Sequence, residues 1–160
     1  MNTTKMLHPL ERLEALGISL PTPSAPVANY VPFSRSGNLL FISGQLPIGP
    51  EGIDIGFRGK LGLNVTLENG QAAARLATLN LLSQAAVAVN DLSKIRAIRI
   101  SGFVNCTPDY AQIPQVMNGA SDFLIAALEE NGKHARIAVG VAQLPLNAAV
   151  EVEGIFEILA

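Results

Sequence analysis

One stretch of this chain limits the folds open to it more than any other. From Thr66 to about Val89 half of the residues are Ala or Leu, and they fall on every side of a would-be helix. A helix that is apolar all round has to be covered on more than one face. Thr66 is a good N-cap for it, and Glu68 in its first turn complements the helix dipole. The residues on either side read as strands and one further helix, and these must supply the cover.

Ahead of the long helix, Tyr30 to Arg35 and Asn38 to Ser43 are strand-like runs joined by a tight turn at Ser36-Gly37. A Gly- and Pro-rich loop follows, from Gly44 to Gly62. Behind the long helix, Ile95 to Val104 alternates as a strand, Cys106 to Pro114 reads as a loop, and Val116 to Glu130 as a second helix stopped at Asn131-Gly132. Ala135 to Ala142 and Ala149 to Leu159 form a last pair of strands around the turn Leu144 to Asn147. The order ββαβαββ predicts an α+β sandwich, one sheet covered on one face by two helices. Residues 1–26 read as an N-terminal extension, with a short helix over Leu7 to Leu16 stopped by Gly17 and a Pro-rich connection from Leu20 to Pro26; residues 27–160 form the main domain.

Composition narrows the setting. Charged residues are 15% of the chain and hydrophobic ones 49%, with mean hydropathy +0.33. A 160-residue chain has little interior to absorb such a surplus, so part of its surface is expected to be buried against copies of itself. The net charge of −2, with Lys and Arg scattered, gives no footprint for nucleic acid. Cys106 is the one cysteine and no His or Cys spacing suits a metal, so neither disulfides nor zinc should hold the fold. The first 20 residues lack the apolar core of a secretory signal, and no run is long and charge-free enough to span a bilayer, so a cytoplasmic protein is expected.

The most informative strand is Ala135 to Ala142. Alternation puts Ile137, Val139 and Val141 on one face, expected to be core, and Arg136, Ala138, Gly140 and Ala142 on the other. A lone arginine beside very small residues suggests an open hollow with a cation at its edge. Its planar fork matches a carboxylate bidentately. An interface ion pair with Glu151, Glu153 or Glu157 on the next strand is the other reading of the same arginine, and on pattern alone the more ordinary one. One of those glutamates can orient and deprotonate a water beside a bound ligand, but alternation does not select which. His134 precedes the strand and reads as exposed, and Cys106 has no histidine paired with it.

The run from His134 to Glu153, HARIAVGVAQLPLNAAVEVE, resembles the C-terminal signature of the RidA (YjgF) family: an arginine, a strand, a Leu-Pro turn and a Val-Glu alternation. Phe41 to Pro47, FISGQLP, is similar to the family's Ser-Gly-Gln-x-Pro strand end, and Phe103-Val104-Asn105 resembles the end of its third strand. The matches run from Tyr30 to Ile158. The resemblance implies a chorismate-mutase-like fold, a homotrimer with clefts between subunits, and hydrolysis of reactive 2-imino and enamine acids to 2-oxo acids and ammonia without cofactor or metal. It implies that Arg136 holds the substrate carboxylate and Glu151 activates water. Tyr30, Ser43, Ala138 through its backbone, and Asn118 would line the pocket. Ala138 stands where the family often has cysteine. The N-terminal extension, the long Cys106 to Met117 region and the His134-Ala-Arg form point to a longer-chain subgroup. Two other readings stay open: a trimeric binding protein for small 2-oxo or other carboxylic acids, and a ribonuclease or translation inhibitor.

Overall fold

A computed structural model describes residues 7–23 and 28–160. The strands are β1 (Phe33–Ser36), β2 (Leu39–Gln45), β3 (Ile48–Gly49), β4 (Gly52–Ile53), β5 (Ile95–Asn105), β6 (Ala135–Val141) and β7 (Val150–Ile158), and the helices α1 (Pro9–Ala15), α2 (Leu67–Val89) and α3 (Ile113–Leu128). Five strands form one mixed sheet in the order β1-β2-β7-β5-β6, and β3 and β4 make a small hairpin inside the Gly44 to Gly62 loop. The expected α+β architecture is therefore present, one sheet with helices packed on it.

Local chemistry sets the helix ends. The Thr66 side chain accepts from the Asn69 N–H at 3.1 Å, and Asn90 closes α2 in the left-handed conformation (φ 60°) that asparagine tolerates. Pro114 belongs to the first turn of α3 and not to the preceding loop, because a proline lacks only an N–H that the first turn leaves unpaired anyway. By length and composition α2 is able to cross a membrane, contrary to the sequence expectation. Its apolarity has another use in this fold: Ala73, Ala77, Leu81 and Leu82 are fully buried against the sheet and α3. At the crossing of the two helices, a Cβ on Gly119 would lie 2.1 Å from the Gln71 carbonyl oxygen, so only glycine permits this approach.

The core lies between the helices and one face of the sheet. Leu40 and Ile42 of β2, Val150, Val152 and Phe156 of β7, and Ile95, Ile100 and Val104 of β5 meet Met117 and Leu124 of α3 there. Fully burying each such side chain contributes roughly 1.5–3 kcal/mol. Leu13 of α1 joins the same cluster, so the short helix is part of this core, while Leu10 and Leu16 remain exposed. Residues 24–26 of the Pro-rich connection, and residue 27 after it, lie outside the described residues.

Two sequence expectations are corrected. The last two strands are not neighbours: β5 runs between them, parallel to β6 and antiparallel to β7. The faces of β6 are also reversed. Ile137, 40% exposed, with Val139 and Val141, lies on the face without helices. Ala138 and Gly140 turn toward the helices, where there is no hollow. A Cβ on Gly140 would meet the Cys106 Sγ at 2.7 Å and the Ile113 Cδ1 at 3.0 Å. Gly140 has no side chain because Cys106 and Ile113 fill the space over it.

Candidate functional site

The six residues singled out from sequence fall into two groups on opposite faces of the sheet. The first is built on the edge strand β6 and the start of α3. Arg136 reaches across to α3, where its Nη1 donates to Asn118 Oδ1 at 3.0 Å and to Ser121 Oγ at 3.1 Å, and its Nη2 to the Pro114 carbonyl at 3.4 Å. Positions 114, 118 and 121 recur at helical spacing, so one stripe of α3 receives the whole guanidinium. Both Nη1 hydrogens are used, whereas Nε and the second Nη2 hydrogen have no protein partner among the described residues. That unused edge is the side-on fork a carboxylate fits. No carboxylate of the chain takes it: Glu157 pairs with Arg96 at 2.5 Å, and the glutamates of β7 point from the other face. Ala138 follows on the same strand face, half-buried against the core.

The second group surrounds the end of β2. Register shifts between Ile42 and Gln45 where β2 pairs with β7, and Ser43 and Gly44 occupy the irregularity. The Ser43 hydroxyl donates to the Val31 carbonyl at 2.8 Å, which ties this bulge to the bend carrying Tyr30. Tyr30 is 54% exposed. Glu151 packs directly on the bulge: a Cβ on Gly44 would lie 2.1 Å from its Oε1. Glycine at 44 is what makes room for the carboxylate. Burial, and then the charge of Glu153 nearby, push the Glu151 carboxyl above its ordinary range. A carboxylate so disposed is a better proton acceptor than a solvated one.

The helix-free face between these groups is broad and largely apolar. Phe41, Ile155, Phe103 and Val139 lie across it on four adjacent strands, with Glu153 and Arg99 among them. Phe41 is 41% exposed. Beyond the face, a fully buried Asn105 ends β5 and anchors the loops. Its Oδ1 accepts from Lys60 Nζ at 2.6 Å and its Nδ2 donates to the Ala148 carbonyl at 3.1 Å, while Lys60 also reaches the Ala142 carbonyl.

Sequence reasoning missed Ser121 and read His134 as exposed. His134 is half-buried and bonded to Ser121. A serine three residues after Asn118 on a helix was the available signal. Two hollows lie away from both groups, one between α1 and the end of α3 around Arg12 and Leu92, another over α2 and α3 around Arg75 and Phe123. Arg136 itself stands exposed on β6, the edge strand of the sheet.

Comparison with known proteins agrees with this fold. The profile of the family described as "YjgF/chorismate mutase-like, putative endoribonuclease" matches residues 10–158. Protein TCP17 of Trypanosoma cruzi is 45% identical over 150 residues, 91% of each chain. The crystal structure of Atu1372, a protein with unknown function from Agrobacterium tumefaciens, is 46% identical with a TM-score of 0.87, covering 94% of this chain and 92% of that one. A structure from Shewanella oneidensis bearing the same endoribonuclease description is 36% identical with a TM-score of 0.90, covering 95% of this chain and 100% of that one.

Proposed function

Because the chain belongs to the YjgF/RidA family of chorismate mutase-like proteins, we propose that it hydrolyses reactive 2-imino acids, and their 2-aminoacrylate-type enamine tautomers, to 2-oxo acids and ammonia. The observation that carries the reading is the unused Nε and Nη2 edge of Arg136, held in place by α3. It grips the substrate carboxylate and so fixes the imine carbon. Glu151 takes a proton from water as the oxygen attacks that carbon, and the C=N electron pair moves to nitrogen. Proton return from Glu151 makes the nitrogen a leaving group; the C–N bond then breaks to release ammonia as the new hydroxyl gives up its proton and forms the C=O of the 2-oxo acid. Tyr30, Ser43, Asn118 and the backbone at Ala138 line the cleft, and none of these steps calls on a cofactor.

Arg136 and Glu151 belong to opposite sheet faces, so one protomer does not join them. A homotrimer solves this if each cleft takes Arg136, Asn118 and Ala138 from one subunit and Glu151, Ser43 and Tyr30 from the next. The apolar helix-free face is the surface such an assembly would bury. A cytoplasmic location, where such imines arise, fits the single cysteine.

A second reading, a carboxylate-binding trimer without turnover, uses the same arginine. The endoribonuclease description of relatives meets a chain of net charge −2 with few exposed aromatics, a poor partner for RNA. The test is loss of 2-iminopropanoate and 2-iminobutanoate, generated in situ by an amino-acid oxidase with semicarbazide competing for the imine. We expect acceleration by protein that sediments at about three times the 16.8 kDa chain mass. Saturable binding of 2-oxobutanoate with no acceleration would leave the binding protein as the function, and a monomer would end the shared-cleft scheme.

A further inference from the structure

A guanidinium is useful as a carboxylate clamp only if its free edge points one way, and the bonds around Arg136 show what points it. The Gly132 carbonyl can only accept, so His134 Nδ1, 2.6 Å away, carries its hydrogen. In the neutral ring Nε2 is then bare. Ser121 Oγ, 3.0 Å from it, donates its one hydrogen there. With that hydrogen committed, Ser121 Oγ faces Arg136 as an acceptor, and Nη1 donates to it at 3.1 Å. The direction of every bond in this relay follows from one backbone carbonyl.

We propose that His134 and Ser121 are positioning residues for Arg136. Together they hold Ser121 as an obligate acceptor, and with Asn118 they consume both Nη1 hydrogens, so that the Nε and Nη2 edge is the one presented to substrate. The proposal rests on the carboxylate-gripping reading of Arg136. It assigns roles to two side chains that neither touch substrate nor belong to the six expected residues. Bonds in such a chain reinforce one another, so removing either end loosens the other. His134 and Arg136 lie on the same side of the strand, two residues apart, and the stripe of α3 at Pro114, Asn118 and Ser121 faces both.

The test uses full-length protein and two readouts. Hindered rotation of the Arg136 guanidinium is followed by nitrogen-detected NMR in the free protein, and KM and kcat are followed on 2-iminobutanoate. Ser121→Ala and His134→Leu should both release the rotation and raise KM about threefold to tenfold, with kcat changed less than about twofold, the signature of lost binding without lost chemistry. His134→Gln places an amide oxygen where Nε2 was and should restore both. Variants that only lower thermal stability, with rotation and KM as in wild type, would overturn the proposal and reduce His134 to a tie on the Gly132 turn. Should the wild type show no turnover at all, release of rotation in Ser121→Ala and His134→Leu with weaker 2-oxobutanoate binding still upholds the positioning role, and it is the deaminase reading that fails.

Discussion

Replacing Glu151 by glutamine should lower kcat on 2-iminobutanoate by about a hundredfold to ten-thousandfold, the usual contribution of a positioned general base, with KM nearly unchanged because Arg136 supplies the grip. Retention of more than about a tenth of wild-type kcat would remove Glu151 from the chemistry. The pH profile offers a second check. Burial and then Glu153 raise the Glu151 pKa, so the active, ionised form is lost on acidification at a higher pH than an ordinary glutamate would show. Glu153→Gln removes the neighbouring charge and should move that acid limb to lower pH. Stability follows with the opposite sign. A carboxyl whose folded pKa exceeds its unfolded value favours the fold when protonated, and that contribution disappears as pH rises through the folded pKa. At neutral pH the ionised Glu151 therefore burdens the fold, and Glu151→Gln should melt at a higher temperature than wild type while being far less active.

Arg136→Ala should lower kcat/KM about tenfold to 150-fold, the loss expected when a charged hydrogen bond to a carboxylate disappears. The fold should tolerate it, since Arg136 is exposed and its partners Asn118, Ser121 and the Pro114 carbonyl can turn to water. Arg136→Lys is a sharper probe. It keeps the charge but loses the planar fork, and should recover only part of the loss. A well-folded Arg136→Ala protein with full turnover would exclude the carboxylate grip.

What the sequence disclosed and what it hid divide along one physical line. The ends of α2 were legible at Thr66 because capping is a matter of a few adjacent residues. The Val-Glu alternation of β7 was legible for the same reason, whereas the bulge at Ser43-Gly44 was not: the strand was expected to stop at Ser43 and runs on through the register shift to Gln45. Strand pairing was not, since nothing in the Leu144 to Asn147 turn tells that β5 lies between β6 and β7. The facing of β6 was misread because its apolar residues were assigned to the core on hydrophobicity alone. Space decided it instead: Cys106 and Ile113, distant in sequence from Gly140, fill the helix side over that position and leave room only for glycine. Arg136 emerged from its solitary charge. Ser121, its partner 15 residues away, required the fold.

The placement of Arg136 and Glu151 on opposite faces of one sheet has a genetic reading. If each cleft borrows one residue from either neighbour, a gene copy lacking the arginine and a copy lacking the glutamate are not equivalent losses. Expressed together they assemble into mixed rings in which about a quarter of the clefts pair an intact arginine with an intact glutamate. Two alleles, each impaired alone, would then complement within a single cell, whereas two copies of the same allele never would.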